Sequence, residues 1–328
     1  MSILVTGGAG YIGSHCVAAL LERGEDVVVA DNLVTGHKEA LKGGRFYEGD
    51  VSNRAFLDQL FEREHIDAVI HFAAFSLVGE SVNLPEKYFR NNVVGGLTLM
   101  ESMVAHEVPY LVFSSTAATY GEPEYTPIDE VHPQNPTNPY GESKRIVESM
   151  LKWSDRAHGL RFVPLRYFNV AGAWRDGSIG EDHRPETHLI PMILKAAQGK
   201  VPSLKLFGTD YPTRDGTCIR DYIHVEDLID AHFLALDYLR AGNPSTAFNL
   251  GNGQGFSNRE IIEAARRVTG AEIPVEEAPR RAGDPATLVA SSRKAKEVLG
   301  WEPKHPDVED VIASAWRWHS AHPNGYEA

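Results

Sequence analysis

Cysteine is nearly missing: Cys16 and Cys218 are the only two in 328 residues, and they form no CxxC pair. A disulfide framework is excluded, a reducing compartment is the natural setting, and both thiols are expected to be buried as small hydrophobes. Long apolar runs are missing too, since no stretch approaches the roughly 18 residues a membrane-spanning helix needs. Met1 leads straight into the strand-like Ile3-Leu4-Val5, which leaves no room for a basic and then apolar leader. A cytoplasmic protein with no membrane partner is therefore expected. Positive charge is in deficit as well: 32 Lys+Arg stand against 45 Asp+Glu, a net −13, and no basic run interrupts the balance. That excludes nucleic acid as a partner. A small anion remains possible where a few arginines or helix N-termini converge.

What is present is an ordinary globular composition, 42% hydrophobic and 23% charged. At this length one large domain or two unequal lobes are expected. Short β-branched runs at 3–6, 27–30, 45–47, 68–72, 110–114 and 161–165 alternate with helical patterns, which predicts parallel strands joined by helical crossovers. The strands are continuous apolar runs rather than alternating ones, as a sheet covered on both faces requires. The expected fold is α/β: a doubly wound, Rossmann-type parallel sheet with a second, smaller α/β substrate lobe. The pattern changes near Val170, dividing the chain into 1–170 and 171–328, with the chain free to cross back. Helices are predicted at about 191–198, 225–240 and 258–269, the last two flanking a strand at 247–250.

Thr6-Gly7-Gly8-Ala9-Gly10-Tyr11-Ile12-Gly13 falls where the first strand hands over to the first helix. Glycines suit a tight turn whose backbone must approach a pyrophosphate. The second strand ends in Asp31, followed by Asn32, where a carboxylate accepts from ribose hydroxyls and would repel a 2′-phosphate. NAD is preferred over NADP. Asp50-Val51 ends the third strand, either beside an adenine ring or as an ordinary turn.

Asn138-Pro139 reads as the cap and first residue of a helix, which places Tyr140 and Lys144 one turn apart on one face. A free phenol ionises near pH ~10, so acting as a base at neutrality needs about 4 kcal/mol of help. A nearby ammonium, with the positive ring of bound NAD⁺, can supply much of that. The run Phe113-Ser114-Ser115-Thr116 offers hydroxyls for the substrate oxygen.

These features together resemble the extended short-chain dehydrogenase/reductase family, and within it the UDP-hexose 4-epimerases. Further similar stretches are Asp31-Asn32-Leu33, His71-Phe72-Ala73-Ala74, Val78-Gly79-Glu80-Ser81, Arg166-Tyr167-Phe168-Asn169, Arg220-Asp221-Tyr222-Ile223-His224-Val225 and His322-Pro323-Asn324-Gly325-Tyr326. The resemblance spans essentially the whole chain. It implies interconversion of UDP-galactose and UDP-glucose through a 4-keto sugar, with tightly held NAD, by Thr116, Tyr140 and Lys144. Related 4,6-dehydratases carry Asp and Glu after the catalytic hydroxyl to eliminate water, and decarboxylases keep a Glu. Here Ala117 and Ala118 stand there and move no proton.

The resemblance further implies that NAD is held by Gly7, Gly10, Tyr11, Ile12, Gly13, Asp31, Asn32, Asp50, Val51, Phe72, Ala73, Ala74, Asn91, Ser114, Tyr140, Lys144 and Phe168. Ser76 stands where some members place a phosphate-binding Lys. For the UDP-hexose it implies Tyr167, Asn169, His188, Leu189, Lys205, Phe207, Arg220, Tyr222, Arg281 and Asp284, besides Thr116 and Tyr140. Read alone, Arg220 and Arg281 are surface arginines paired to Asp221 or Asp284. Leu288 falls where a bulky aromatic is associated with exclusion of N-acetylated sugars. No metal is expected, because the gap between His183 and His188 is not a metal spacing and no second acidic cluster completes a site. A homodimer through helices at 85–106 and after Tyr140 is the expected assembly. The alternatives are an epimerase of UDP-GlcNAc/GalNAc or of a UDP-uronic acid, or a noncatalytic NAD-binding sensor.

Overall fold

The computed structural model describes residues 1–281 and 284–326. Six strands follow one another through the first half: β1 (Ser2–Thr6), β2 (Asp26–Asp31), β3 (Arg45–Glu48), β4 (Ile66–His71), β5 (Tyr110–Thr116) and β6 (Arg161–Tyr167). With Phe248–Leu250 they form one seven-stranded sheet, in the order Phe248–Leu250, β6, β5, β4, β1, β2, β3. Every pairing in it is parallel.

The continuous apolar strands are explained by cover on both faces. On one face Val17 and Leu20 of helix Tyr11–Glu22 pack with Leu228, Leu236 and Leu239 of helix Val225–Arg240. On the other, Leu57 and Leu60 of helix Arg54–Arg63, Leu99 and Met103 of helix Gly95–Ala105, and Val147 and Leu151 of helix Pro139–His158 do the same. Each such side chain contributes about 1.5–3 kcal/mol by leaving water, so truncating Leu4 at the sheet centre to Ala costs ~2–5 kcal/mol. Strand order reverses between β1 and β4, which opens a crevice beyond their C-terminal ends, where doubly wound sheets bind ligands.

Past residue 170 the chain builds a second core from helices Leu189–Ala197, Asn258–Thr269 and Val308–Ala321, with Ile193, Ile261, Ile262 and Ile312 at its centre. Between these elements it returns to the first sheet with helix Val225–Arg240 and strand Phe248–Leu250. Helices 225–240 and 258–269 have the bounds their periodicity predicts. Ser257 and Glu260 close a reciprocal capping box on the second of these, and Gly270 at φ 67° ends it.

The expected single helix at 85–106 is interrupted: Phe89–Val94 is a π-helical turn between Pro85–Tyr88 and Gly95–Ala105. Asn92 causes the widening by turning inward. Its side chain accepts from Phe75 N at 2.9 Å and donates to Phe75 O at 3.0 Å and Ser143 Oγ at 3.0 Å. Cys16 and Cys218 are both buried and unpaired. Among the described residues no helix is long and apolar enough to cross a membrane.

Candidate active site

The glycine turn is built around close approaches. A Cβ at Gly13 would lie 2.1 Å from Gly7 O, and one at Gly7, where φ is +71°, would lie 2.5 Å from Ala73 N. Phe72 N and Ala73 N both donate to Thr6 O, which draws Phe72-Ala73-Ala74 beside the turn. Helix Tyr11–Glu22 opens at Gly10 without a side-chain cap, so its first N–H groups face the crevice as an anion site.

Asp31 is buried rather than a solvated loop acid. Its carboxylate accepts from Ala9 N at 2.9 Å and Leu33 N at 2.8 Å, and burial pushes its pKa up against the pull of those bonds. A carboxylate has further acceptor sites, so ribose hydroxyls can still be bound. Asp50 accepts from Asn32 Nδ2 at 2.9 Å and from Ser52 N and Oγ, which ties the ends of β2 and β3 together; Val51 is buried. Burial opposes ionisation of Asp50, but the Ser52 and Asn32 bonds hold its pKa below the usual value.

Tyr11 offers its backbone to the turn while its phenol donates to Gly172 O at 2.7 Å, bracing the second lobe. Asn91 donates to Asn92 Oδ1 at 2.9 Å. Phe168 packs against the cluster of Ala117, Tyr120 and Ile128. The cradle, the uncapped helix and the buried acid fit a dinucleotide with a free ribose 2′-hydroxyl.

Helix Pro139–His158 begins as expected, with Asn138 Oδ1 accepting from Gly141 N at 2.9 Å. A Cβ at Gly141 would stand 2.3 Å from Ala118 O, so this glycine lets the helix press against the end of β5. There the structure brings together Ser114, Thr116, Tyr140, Lys144 and Tyr167. Lys144 is buried and donates to Ser114 O at 2.8 Å. Ser114 Oγ and Tyr167 OH share a hydrogen bond. Thr116 Oγ1 accepts from Ala118 N at 3.1 Å.

One electrostatic expectation is corrected. Burial raises the Tyr140 phenol, with only a Thr116 side-chain hydrogen bond pulling it down. Burial also lowers Lys144 to about 7, against the nearby negative charge of Glu148. Directed at the Ser114 carbonyl, the ammonium is not what lowers the phenol in this geometry.

Reading the sequence residue by residue missed the layer behind these groups. Glu148, 1% exposed, accepts from Ser115 Oγ at 2.6 Å and from Arg166 Nε and Nη2 at 3.0 and 2.6 Å. Arg166 also donates to Tyr120 OH at 2.8 Å, and that hydroxyl donates to Asn249 Oδ1 at 2.6 Å. The available signal was helical spacing: Glu148 lies one further turn beyond Lys144 on the same face.

In the second lobe Arg220 is buried and donates to Asp284 at 3.1 Å. Asp221 is not its partner: that carboxylate accepts from the N–H groups of Asn252, Gly253 and Ala290. Arg281 stacks its guanidinium 4.1 Å above the Phe207 ring, while neighbouring Lys205 is exposed. Asn169 and Tyr222 pair in a short parallel ladder, and Asn169 N donates to Asp221 O. Leu288 on its two-residue strand pairs with Arg220.

His188 precedes Leu189, the first residue of its helix, and its Nδ1 meets Glu181 Oε1 at 2.6 Å. Burial opposes its charge, but Glu181 and Glu186 raise it to about 9. The premise that no acidic cluster accompanies the histidines is therefore corrected: Glu181, His183, Glu186 and His188 converge, with one donor atom from each within 4.8 Å of the others. Spacings of two, three and two residues across a loop matched no helical or strand period, which hid the grouping.

A family model described as the NAD dependent epimerase/dehydratase family matches residues 3–251. The chain is 62% identical over 330 residues to the UDP-glucose 4-epimerase of Streptococcus mutans serotype c, covering 100% of this chain and 99% of that protein. A solved UDP-glucose 4-epimerase superposes with a TM-score of 0.98 at 57% identity, covering 100% of both chains. The enzyme from Bifidobacterium longum, solved in complex with NAD⁺ and UDP, does so with a TM-score of 0.94 at 39% identity, covering 99% of this chain and 100% of that one. The likeness extends beyond fold to sequence over the full chain, and the protein belongs to the NAD dependent epimerase/dehydratase family.

Proposed function

We propose that the protein interconverts UDP-galactose and UDP-glucose by transient oxidation at the sugar C4, using NAD that stays bound. The carrying observation is the cluster at the end of β5, where Thr116, Tyr140 and Lys144 stand together and Ala117 and Ala118 supply no acid or base for elimination. Residues 1–170, with the returning segment 225–250, hold the cofactor in this reading, and the remainder of 171–328 holds the nucleotide sugar.

When bound, NAD⁺ supplies the two-electron acceptor and donor for C4, and a positive charge. Tyr140 takes the proton of the C4 hydroxyl and returns it after the 4-keto sugar presents its other face. Thr116 holds that oxygen. Lys144, anchored on Ser114 O, would help to hold the cofactor beside Tyr140. Burial moves the phenol away from base strength and Lys144 is directed at Ser114 O, so the lowering would fall to the positive charge of bound NAD⁺.

Arg220 and Arg281 meet the diphosphate and supply the local positive charge that a net −13 conceals, and His188 donates a hydrogen bond to it. Lys205, Phe207 and Asp284 hold the uridine, and Tyr167, Asn169, Leu189 and Tyr222 line the path between. Leu288 is smaller than the aromatic associated with exclusion of N-acetylated sugars, which supports UDP-GlcNAc and UDP-GalNAc as further substrates. The protein acts as a cytoplasmic homodimer in this reading. Exposed Val94 and Leu97 on one helix and Trp153 on another are the apolar surface for a two-helix contact.

The test is to incubate the purified protein with UDP-galactose, without added NAD, and follow UDP-glucose. Conversion supports the proposal. No conversion of any UDP-hexose by NAD-loaded protein would overturn it.

A further inference from the structure

We propose that Glu181, His183, Glu186 and His188 form a binding site for one divalent transition-metal ion, of which Zn²⁺ is the best fit. The four donor atoms come from two imidazoles and two carboxylates. His188 Nδ1 and His183 Nδ1 lie 2.6 and 3.1 Å from Glu181 Oε1, and 3.6 and 3.8 Å from the nearer oxygens of Glu186. A tetrahedron with metal–ligand bonds of about 2.0–2.1 Å has edges of about 3.3 Å, and these separations straddle it. Small side-chain rotations bring all four donors onto one ion.

The surroundings hold the ligands in place. The Glu181 and Glu186 side chains are only 5% and 2% exposed. Glu186 Oε1 accepts from Thr187 N at 2.7 Å and His188 N at 2.8 Å, the kind of outer bond that fixes a ligating carboxylate. Asp182, between the ligands, accepts from Tyr326 N at 3.1 Å, and its carbonyl meets His37 Nε2 at 2.9 Å. Tyr11 sets its ring edge against His183, with centroids 6.3 Å apart. An ion here would brace the loop that leads into helix Leu189–Ala197 against the glycine turn.

A second group, His224, Glu226 and His305, offers a contrast. Both ring nitrogens of His224 are engaged there, with Ser314 Oγ at 3.0 Å and Glu226 N at 3.1 Å, so it has no nitrogen left for a metal. Among the described residues, the imidazole hydrogen bonds of His183 and His188 run through Nδ1 to Glu181 alone. Mixed imidazole and carboxylate ligation selects a borderline ion over Mg²⁺ or Ca²⁺, which favour all-oxygen sets.

The experiment strips the NAD-loaded protein with chelator, then titrates it with Zn²⁺ and separately with Mg²⁺ by calorimetry. One Zn²⁺ per chain, no matching Mg²⁺ isotherm, and Co²⁺ absorption bands of tetrahedral intensity are expected. His183→Gln and Glu186→Gln should each weaken Zn²⁺ binding at least ~10-fold and abolish the Co²⁺ bands. Retained NAD absorbance and an unchanged metal-free melting profile show that a variant is folded, and either folded variant suffices. Absent, weak multi-site or variant-insensitive Zn²⁺ binding overturns the proposal.

Discussion

Lys144 Nζ donates to the carbonyl oxygen of Ser114 at 2.8 Å, so the proposed catalytic cation is anchored to the strand that carries Thr116. Holding it there in a buried position lowers its pKa to about 7. In the unfolded chain the same group titrates near ~10.4. Between about pH 7 and 10 the unfolded state thus binds the extra proton, and the stability contributed by this group rises with pH across that window. Below pH ~7 the cost is present in full. Lys144→Met should therefore raise the urea midpoint relative to wild type at pH 6.5, and the gain should shrink by pH 9.5. Unfolding both proteins at the two pH values, each saturated with NAD, checks this; a gap independent of pH contradicts it. Turnover of the variant should fall by about 10² or more.

Tyr140→Phe removes the hydroxyl and keeps the ring. Turnover with UDP-galactose should drop about 10²–10⁴-fold, the usual worth of a positioned acid/base. Burial of the remaining ring leaves the site's packing intact, so bound NAD should stay at its wild-type level by absorbance. Unchanged turnover would remove Tyr140 from its proposed role.

Thr116 accepts from Ala118 N at 3.1 Å and bonds to Tyr140 through its side chain. Serine offers the same hydroxyl with a freer χ1, whereas valine keeps the branched shape and loses the oxygen. Thr116→Ser should stay within a few-fold of wild type, and Thr116→Val should lose about 10²-fold in kcat with a smaller change in KM. Equal activity of the valine and serine variants would show that the hydroxyl does no work.

The sheet was legible because its evidence is local: β-branched runs, a glycine turn and a capped helix each carry their own period or chemistry. Helices 225–240 and 258–269 have their predicted bounds for that reason. The π-helical turn at Phe89–Val94 was not legible, because Asn92 widens it by reaching Phe75 and Ser143, partners 17 and 51 residues away. The proton balance at the end of β5 was hidden in the same way. A tyrosine and a lysine one turn apart suggest an ammonium beside a phenol, but burial and the Ser114 carbonyl decide where the lysine points. The Arg220–Asp284 pair, 64 residues apart, was among the pairings the residues alone left open, and only family resemblance pointed from it to a nucleotide-sugar site.

Leu288 packs against the cluster of Ala117, Tyr120 and Ile128, which begins directly after the proposed catalytic hydroxyl, and pairs through its backbone with Arg220. In the proposed reading a larger side chain there would take up space the sugar substituent needs. Leu288→Tyr should lower kcat/KM for UDP-GalNAc by about 10-fold or more, while UDP-galactose changes a few-fold, in line with the 1–3 kcal/mol a small steric group controls. A ratio of the two rates unaffected by the substitution removes this position from the specificity argument.

Glu148 links stability to chemistry, since one carboxylate both neutralises Arg166 and faces Lys144 from the next turn of the helix. The Glu148–Arg166 pair is bidentate and almost wholly enclosed, with side chains 1% and 5% exposed. Leaving a buried charge unpaired costs about 3–5 kcal/mol, so Arg166→Met should destabilise the protein by that order. Glu148→Leu combined with Arg166→Met removes both charges and should recover much of the loss. Glu148→Gln keeps the shape but withdraws the negative charge that opposes deprotonation of Lys144. The lysine should then lose its proton at a lower pH than in wild type. Because the cationic form is the one proposed to hold the cofactor beside Tyr140, the activity deficit of Glu148→Gln should grow as pH rises from 6 to 8. A purely structural defect would lower turnover by the same factor at every pH, and kcat profiles of the two proteins distinguish the outcomes.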